Sequence, residues 1–283
     1  MIGSAQTGRE TASPEIGRQV DAAGVTTNYH DSGSGPVVVL IHGSGPGVSA
    51  WANWRPVIPL LSRQFRVVAP DIVGFGYTER PPDFSYRLPS WIAHLRGFLD
   101  ALGIERAHLV GNSFGGALAM WLAAETDYVD RMVLMGSVGL HFEITAGLDA
   151  VWGYEPSLEN MRALLDIFAF DPSFATDDLA RLRYQASIRP GIQESYAAMF
   201  PAPRQRWVDA LALPESQISA IPNQTLIVHG REDQVIPAES SVRLNQLLPN
   251  SELHIFGRCG HWTQIEHTER FSQLVADFLA AGS

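Results

Sequence analysis

The chain has 283 residues, of which 46% are hydrophobic and 18% charged, so it can bury the core of one large domain. Its formal net charge of −10 makes a nucleic-acid backbone or an anionic membrane surface a poor partner. The single cysteine excludes an internal disulfide. The N-terminal residues lack the pattern of a secretory signal, and the apolar runs are too short to span a bilayer, so we expect a cytoplasmic protein.

Short runs rich in Val, Ile and Leu alternate along the chain with stretches of helical periodicity. The runs end at Gly, Pro, Asp or His, and the clearest helical spacing extends from Phe271 to Leu279. Strands that alternate with helices indicate a mostly parallel sheet that is covered on both faces. The predicted strands are Val25–Tyr29, Val37–Ile41, Arg66–Ala69, His108–Val110, Met132–Met135, Thr225–His229 and Leu253–Phe256.

This alternation stops at about residue 140. From Leu140 to Trp207 we predict no strand, whereas helical patterns cover Leu158–Phe168 and Ala180–Gln185, and five prolines punctuate the segment. We therefore predict a helical lid at 140–207. The lid is inserted between a first core segment at 1–139 and a second at 208–283.

The sequence Gly-Asn-Ser-Phe-Gly at 111–115 is the strongest chemical signal in the chain. It follows a predicted strand and precedes a helical stretch, and it fits the G-x-S-x-G pattern of a serine on a sharp strand-to-helix turn. Only small flanking residues let the neighbouring chain segments pass such a turn. The pattern predicts Ser113 as a nucleophile, and the alternative is a glycine-rich turn with an idle serine.

A serine hydroxyl is a weak nucleophile that needs a base. Of the nine histidines, His261 lies in a Gly-His-Trp sequence between the last predicted strand and the last helix, where a loop can return to the top of the sheet. This position favours His261 as the base over a purely structural histidine. His229, His254 and His267 lie inside or beyond predicted elements, and we interpret them as structural.

The acid that orients the base should follow one of the strands after the serine. No carboxylate comes directly after Met132–Met135, but Gly-Arg-Glu-Asp follows Thr225–His229. The choice is therefore between Glu232 and Asp233. We favour Asp233 because its short side chain on a turn can be aimed at the imidazole, where it would hold the tautomer and stabilise the imidazolium.

The glycine-rich loop His-Gly-Ser-Gly-Pro-Gly at 42–47 follows the predicted strand Val37–Ile41. Glycines allow close approach to the backbone, so the loop suits an oxyanion hole made of N–H groups. We assign its donors to the N–H groups of Ser44 and Phe114; a simple turn is the alternative. A phosphate cradle is excluded because no G-K-[ST] follows.

Metal and thiol chemistry receive no support from the sequence. No H-E-x-x-H, C-x-x-C or Asp/Asn-rich calcium loop occurs. Cys259 lies close to His261 but lacks a nucleophile turn of its own, so we expect it to fill space. We predict neither a metal nor an organic cofactor.

Taken together, these segments resemble the meta-cleavage product hydrolases, α/β-hydrolase-fold enzymes that break a carbon–carbon bond in ring-opened catechols. The resemblance covers nearly the whole chain and is strongest to the 2-hydroxymuconate semialdehyde hydrolases. The lid match is the specific part, since lids vary most among α/β-hydrolases. The similar segments are HGSGPG at 42–47, SAWANWRPVIP at 49–59, PDIVGFGYTERP at 70–81, GNSFGG at 111–116, GLDAVWGYEPS at 147–157, YQASIRPGIQESYAAMFPAPRQRWVD at 184–209, HGREDQVIP at 229–237 and CGHWTQIEH at 259–267.

The resemblance also implies four substrate-binding residues. Arg189 matches the family's substrate-carboxylate arginine, Asn53 and Asn112 its polar pocket residues, and Trp262 its pocket aromatic. Each has a structural alternative: a bridge between lid helices for Arg189, a helix cap for Asn53, a turn-shaping role for Asn112 and a core position for Trp262.

The implied substrate is a 2-hydroxy-6-oxohexa-2,4-dienoate, cleaved between C5 and C6 to 2-hydroxypenta-2,4-dienoate and a carboxylic acid. The expected partner is thus a small anionic molecule, and a homo-oligomer is a family expectation. Two other functions remain open: a carboxylesterase with the same three residues, and a non-catalytic binding protein of this fold. The sequence leaves open the size of the C6 substituent and the choice between an acyl-enzyme and a gem-diol route.

Overall fold

A computed structural model describes residues 13–281 of the chain. Its strands are β1 (Arg18–Ala22), β2 (Val25–Ser32), β3 (Val37–Ile41), β4 (Arg66–Pro70), β5 (Ala107–Asn112), β6 (Val129–Met135), β7 (Thr225–Gly230) and β8 (Ser251–Phe256). They form one sheet in the order β1-β2-β4-β3-β5-β6-β7-β8. The pairs β1–β2 and β2–β4 are antiparallel and the other pairs are parallel.

Helices connect these strands and cover the sheet. They are α1 (Ala50–Trp54), α2 (Ile58–Leu61), α3 (Leu88–Ala101), α4 (Phe114–Glu125), α5 (Ala146–Trp152), α6 (Leu158–Phe168), α7 (Asp177–Ser187), α8 (Ile192–Met199), α9 (Gln205–Leu211), α10 (Glu215–Ile218), α11 (Ala238–Leu247), α12 (Thr263–Glu266) and α13 (Thr268–Ala280). A short 3-10 turn, Pro172–Phe174, precedes α7.

The core lies on both faces of the sheet, as β3 illustrates. Val39 and Ile41 belong to the cluster that contains α3, α4 and lid residues, whereas Val38 and Leu40 belong to the cluster that contains α1, α2 and α13. Because both faces of the strand are buried, its sequence is continuously apolar rather than alternating. The predicted fold class, a mostly parallel sheet flanked by helices, is confirmed.

Each predicted strand is part of the sheet, and most are longer than predicted by one to three residues at an end. Within the described residues, β1 is the only strand that the sequence did not predict. Its sequence, Arg-Gln-Val-Asp-Ala, has little apolar character because it forms an edge of the sheet and pairs only with β2. A solvated edge strand carries almost no hydrophobic pattern.

Six helices, α5 to α10, lie between β6 and β7, and the first five of them, α5 to α9, form the lid over the carboxyl ends of the strands. Trp152 in α5 and Tyr196 in α8 both bond to Ser44, which follows β3. The backbone oxygen of Phe168, at the end of α6, accepts a hydrogen bond from the N–H of His261. Helix α9 runs through the predicted end of the lid at 207, because its apolar positions Trp207, Val208 and Leu211 form one buried stripe.

The described residues contain no helix that is long and apolar enough to cross a membrane. Within residues 13–281 there is also no group of three or more His, Cys, Asp or Glu side chains arranged to hold a metal ion. The prediction about a secretory signal concerns mainly residues 1–12, which lie outside the described residues.

Candidate active site

Ser113 occupies the turn between β5 and α4 with φ 53° and ψ −114°. Such a backbone conformation costs a non-glycine residue about 1–3 kcal/mol, so its surroundings must hold it in place. The Ser113 N–H donates to Met135 O at 2.9 Å, and its carbonyl accepts from Val138 N at 3.2 Å. The end of β6 therefore pins the strained residue on both sides.

The glycines of the motif are required by contact. A Cβ at Gly111 would lie 2.5 Å from the oxygen of Gly115, and a Cβ at Gly115 would lie 2.3 Å from the oxygen of Ile41. Both distances are far below ordinary van der Waals contact. The serine can therefore stand at the top of the sheet only if these two neighbours lack side chains.

His261 and Asp233 form a buried pair. His261 Nδ1 lies 2.8 Å from Asp233 Oδ2, and the two side chains are 4% and 1% exposed. Asp233 Oδ1 accepts from the N–H groups of Val235 at 2.7 Å and Ile236 at 3.0 Å. Burial alone would raise the pKa of Asp233, but the charge of His261 and hydrogen bonds from His229 and His261 lower it below its usual value. Asp233 is therefore an ionised acceptor at neutral pH.

Glu232, the other candidate for the acid, points elsewhere. Its Oε1 accepts from Arg231 Nε at 2.9 Å, and its Oε2 accepts from the N–H of Cys259 at 2.9 Å. The structure thus brings Asp233, and not Glu232, to the imidazole. Burial raises the pKa of the Cys259 thiol to about 12, which leaves it protonated and unreactive.

Ser113 and His261 line the same cavity, which has a volume of about 450 Å³. Because Asp233 occupies Nδ1, the Nε2 atom of the imidazole is the one available to a hydroxyl. Within residues 13–281 the structure describes no direct hydrogen bond between Ser113 Oγ and His261, and such bonds often tighten only when substrate is present. Gly136 borders the pair: a Cβ there would lie 3.2 Å from Asp233 Oδ2 and from His261 Nδ1.

Of the two predicted oxyanion donors, Ser44 lines the cavity, and Phe114 directly follows the cavity-lining Ser113. Phe114 is the first residue of α4, where an N–H has no partner inside the helix. In the described part of the chain, neither the N–H of Ser44 nor that of Phe114 has a protein acceptor. Two unpaired donors near Ser113, one of them at the positive end of a helix, suit a developing negative charge.

The loop that carries Ser44 is fixed from both the sheet and the lid. The His42 ring accepts from Ile72 N at 2.9 Å through Nε2, while its Nδ1 lies 2.7 Å from Gly43 O. Burial lowers the pKa of His42 to about 4, so the ring is neutral. From the lid, Trp152 Nε1 donates to Ser44 Oγ at 2.9 Å. The donor position is therefore set before any ligand binds.

Asn53, Asn112 and Trp262 all line the cavity. Asn53 Oδ1 accepts from Gly43 N at 3.4 Å, whereas its buried Nδ2 has no protein partner among the described residues. Asn112 Nδ2 donates to Met135 O at 3.4 Å. Trp262 stacks on Phe168 of the lid with 4.8 Å between ring centroids. These three side chains therefore lie where a bound ligand would meet them.

Arg189 is placed differently from the prediction. It is not among the residues that line the cavity; its Nη2 donates to Gly76 O at 3.0 Å, and its guanidinium lies 3.8 Å over the ring of Tyr77. The residue follows α7, so it falls outside the helical face that points inward. These contacts tie the end of α7 to the core loop at 70–81, which is neither contact with the cavity nor a bridge between lid helices.

The arginine that does line the cavity is Arg183. Its Nη2 lies 3.4 Å from Pro46 O, and in residues 13–281 no carboxylate comes within the 4.0 Å of an ion pair. Burial lowers the pKa of Arg183, but a guanidinium remains charged at neutral pH. The sequence prediction does not include Arg183, although Leu179 and Arg183 fall at i and i+4 on one face of α7. Both residues line the cavity, as does Thr176, the N-cap of that helix.

The rest of the cavity is mostly apolar and comes largely from the lid. Side chains from α5 and α6 lie opposite the polar groups of the core. Arg55, which is exposed, also lines the cavity. A mostly apolar cavity with a few fixed polar groups is typical of a small-molecule site. The apolar side chains include Leu148, Val151, Met161, Leu165, Phe168 and Val235.

Comparison with known proteins supports the same interpretation. The family model of the alpha/beta hydrolase fold matches residues 36–268. The chain is 62% identical to a 2-hydroxymuconate semialdehyde hydrolase from a Pseudomonas species (strain CF600), covering 95% of each chain. It is also 62% identical to a 2-hydroxy-6-oxo-2,4-heptadienoate hydrolase from Pseudomonas putida, covering 94% of this chain and 97% of that one.

A solved structure shares both sequence and fold with the chain. It is a meta-cleavage product hydrolase from Pseudomonas fluorescens IP01, a serine-to-alanine mutant complexed with acetates. The TM-score is 0.95 at 60% identity, and the match covers 96% of this chain and 100% of the other.

Proposed function

Because the chain belongs to the α/β-hydrolase fold family, and within it to the meta-cleavage product hydrolases, we propose that it hydrolyses the C5–C6 bond of 2-hydroxy-6-oxohexa-2,4-dienoates. The products are 2-hydroxypenta-2,4-dienoate and a carboxylic acid. The observation that carries the proposal is one cavity lined by Ser113, His261 and Arg183, a cation without a carboxylate partner in the described chain. The cavity thus combines a nucleophile and its base, Ser113 and His261, with a cation, Arg183, that can bind an anionic group.

The bond between C5 and C6 can break only if the substrate first provides an acceptor for its electron pair. A carbanion on a plain sp² carbon is a very poor leaving group, so the dienol must first become its 2-keto tautomer. C5 is then sp³. When the C5–C6 bond breaks, its electron pair moves through the C3–C4 double bond into the C2 carbonyl, which becomes an enolate.

The residues of the core supply the nucleophile that attacks the C6 carbonyl and the groups that stabilise the resulting charge. His261 takes a proton from Ser113, or from a water, and the resulting nucleophile adds to the C6 carbonyl. The N–H groups of Ser44 and Phe114 hold the oxyanion. Asp233 keeps the imidazole in the tautomer whose Nε2 accepts the proton, and it stabilises the imidazolium that follows.

The carboxylate end of the substrate is assigned to Arg183. The guanidinium lines the cavity, and a charge-assisted fork would hold a carboxylate in one orientation. Asn53 Nδ2, a buried donor without a protein partner in the described residues, is suited to the oxygen at C2. Together they would set the register of the substrate so that C6 reaches Ser113.

The C6 substituent is proposed to be small. The two relatives at 62% identity are named for a semialdehyde and a heptadienoate, which carry hydrogen and methyl at C6. A 6-phenyl hydrolase from Burkholderia cepacia is only 35% identical. We also propose that the enzyme acts in the cytoplasm on a small anionic substrate. That it forms a homo-oligomer is a prediction from the family resemblance.

The test compares kcat/KM for the dienoate series with kcat/KM for a neutral nitrophenyl ester. We expect the yellow ring-fission products with hydrogen or methyl at C6 to bleach faster than the ester is hydrolysed. An ester rate above all dienoate rates would favour a carboxylesterase instead. A phenyl substrate that outperforms the hydrogen and methyl forms would contradict the assigned pocket size.

A further inference from the structure

A second histidine contacts the carboxylate that orients His261. His229 is fully buried near the end of β7, and its Nε2 lies 3.3 Å from Asp233 Oδ2. This is the same oxygen that His261 Nδ1 approaches to 2.8 Å. Its position inside a strand predicts a structural histidine, but the fold places His229 directly against the proposed acid.

The neighbours of His229 fix its tautomer. Its Nε2 lies 3.0 Å from Ile236 O, and a carbonyl oxygen can only accept, so Nε2 carries the proton. In the neutral ring Nδ1 is then the acceptor, and the Ser241 hydroxyl of α11, 2.6 Å away, is its donor. The ring therefore presents one N–H toward both Ile236 O and the carboxylate of Asp233.

These contacts and those of the 233–236 turn together hold both carboxylate oxygens of Asp233. Ile236 N donates to Asp233 Oδ1 at 3.0 Å, while Ile236 O accepts from His229. One carboxylate oxygen is thus held by the 233–236 turn and the other by the two imidazoles. If His229 were absent, both the turn and Oδ2 would lose a partner at once.

We infer that His229 is a positioning residue that acts through Asp233, with Ser241 holding its tautomer. This inference rests on the proposed function, in which Asp233 orients the base. The N–H of His229 draws part of the negative charge of Oδ2 away from His261 and limits the directions in which the carboxylate can rotate. Its loss would loosen the pair and leave more charge on the side of His261.

The other ionisable groups nearby have partners of their own and do not contact the carboxylate of Asp233. Glu232 bonds to Arg231 and to the N–H of Cys259. The Cys259 thiol is neutral because burial raises its pKa to about 12. Glu266 of α12 accepts from three N–H groups, those of Gly260, Phe170 and Asp171. The side chains in direct contact with the carboxylate of Asp233 are therefore the two histidines.

The test uses three variants. His229→Phe keeps a ring but removes both nitrogens, His229→Gln places an amide N–H near the position of Nε2, and Ser241→Ala removes the donor to Nδ1. For His229→Phe we expect kcat to fall about tenfold or more on both the dienoate and a nitrophenyl ester, with KM little changed, because a hydrogen bond to a charged group is lost. The acid limb of the kcat/KM profile should move to higher pH, since the imidazolium gains charge stabilisation.

The conservative variants separate positioning from packing. His229→Gln should recover most of kcat and of the pH profile, and Ser241→Ala should show a smaller shift in the same direction. If folded His229→Phe keeps the wild-type kcat and pH profile while its Tm falls, the inference is overturned and His229 only packs the core. If His229→Phe does not fold, a wild-type kcat and pH profile in Ser241→Ala would overturn it.

Asp233→Asn serves as the benchmark. Full activity of Asp233→Asn would mean that the proposed role of Asp233 fails, and the inference about His229 would fall with it. Loss of activity in Asp233→Asn together with wild-type kcat and pH profiles in folded His229→Phe and in Ser241→Ala would reject the inference alone.

Discussion

The sheet and the lid both line the cavity, but they hold their side chains by different means. In the sheet, Ser113 is pinned by backbone bonds to the end of β6, and Asp233 by backbone N–H groups of its own turn. In the lid, the lining side chains extend from the faces of separate helices, such as Leu148 on α5, Met161 on α6 and Arg183 on α7. Their positions depend on how those helices pack.

This difference assigns different work to the two regions. Backbone pinning gives the sub-ångström placement that proton transfer and oxyanion binding require. Helix-borne side chains can change in size or charge without disturbing the turns that hold Ser113 and Asp233. The sheet is therefore expected to determine whether a bond is cleaved, and the lid to determine which molecule is accepted. Substitutions in the two regions should therefore have separable effects on cleavage and on substrate choice.

The largest effect is expected for Ser113→Ala in the sheet. Turnover of the ring-fission product at saturating substrate should fall on the order of 10⁴-fold or more, because the nucleophile is lost while the oxyanion donors remain. Ser137→Ala is the matched control: Ser137 is also a buried serine whose hydroxyl has no partner in the described chain, and it does not line the cavity. Turnover near the wild-type rate in Ser113→Ala would exclude its proposed role.

Asp233→Asn comes next. An amide can still bond to the imidazole but favours the wrong tautomer, and the equivalent change costs about 10⁴-fold in the well-studied serine protease triad. Glu232→Gln is the adjacent control and should cost little activity, because Glu232 bonds to Arg231 and not to His261. We would measure kcat for both variants on the dienoate. The reverse ranking would transfer the role of the acid to Glu232.

In the lid, the two arginines Arg183 and Arg189 form a matched pair. Arg183→Gln should lower kcat/KM for the dienoate about ten- to a hundredfold, which corresponds to about 1.5–3 kcal/mol for a charge-assisted contact. The neutral nitrophenyl ester offers no carboxylate and should suffer much less. Arg189→Gln should lower Tm by removing its contacts with Tyr77 and Gly76, with little change in the substrate ratio. The opposite pattern would restore the sequence-based assignment of Arg189.

The same comparison explains what the sequence could and could not predict. The position of Ser113 follows from a turn that needs glycines on either side, and that of His261 from the order of strands and loops; both are local in sequence. The fold class and family, confirmed by the structure and the comparisons, rest on the same local patterns. The assignments of individual site residues remain predictions.

Long-range packing accounts for the rest. Arg183 and Arg189 are six residues apart in one lid segment, and only the packing of α7 against the 42–47 loop decides which of them lines the cavity. The sequence around His229 indicates only a strand residue, because its contact with Asp233 arises when the 233–236 turn folds back against β7. Edge strand β1 carries no apolar pattern, so no local signal was available there.

The smallest effect is expected at the exposed end of the cavity lining, at Arg55. The chain carries a formal net charge of −10, so an anionic substrate approaches against an unfavourable overall field. Arg55 is exposed, lines the cavity and has no carboxylate within 4.0 Å in residues 13–281. A cation there can raise the local concentration of an anion and its rate of encounter without touching the reacting atoms.

Arg55→Gln should therefore lower kcat/KM for the dienoate about two- to fivefold at low ionic strength and leave kcat unchanged. The loss should shrink as salt is added, because the screening length falls to about 3 Å near 1 M. Arg63→Gln removes another exposed arginine, one that does not line the cavity, so it controls for net charge alone. If the two variants lose the same fraction of kcat/KM, overall charge and not the cavity entrance guides the substrate. A loss at Arg55 that persists at high salt would mean direct contact with the bound substrate, and Arg55 would then share the carboxylate with Arg183.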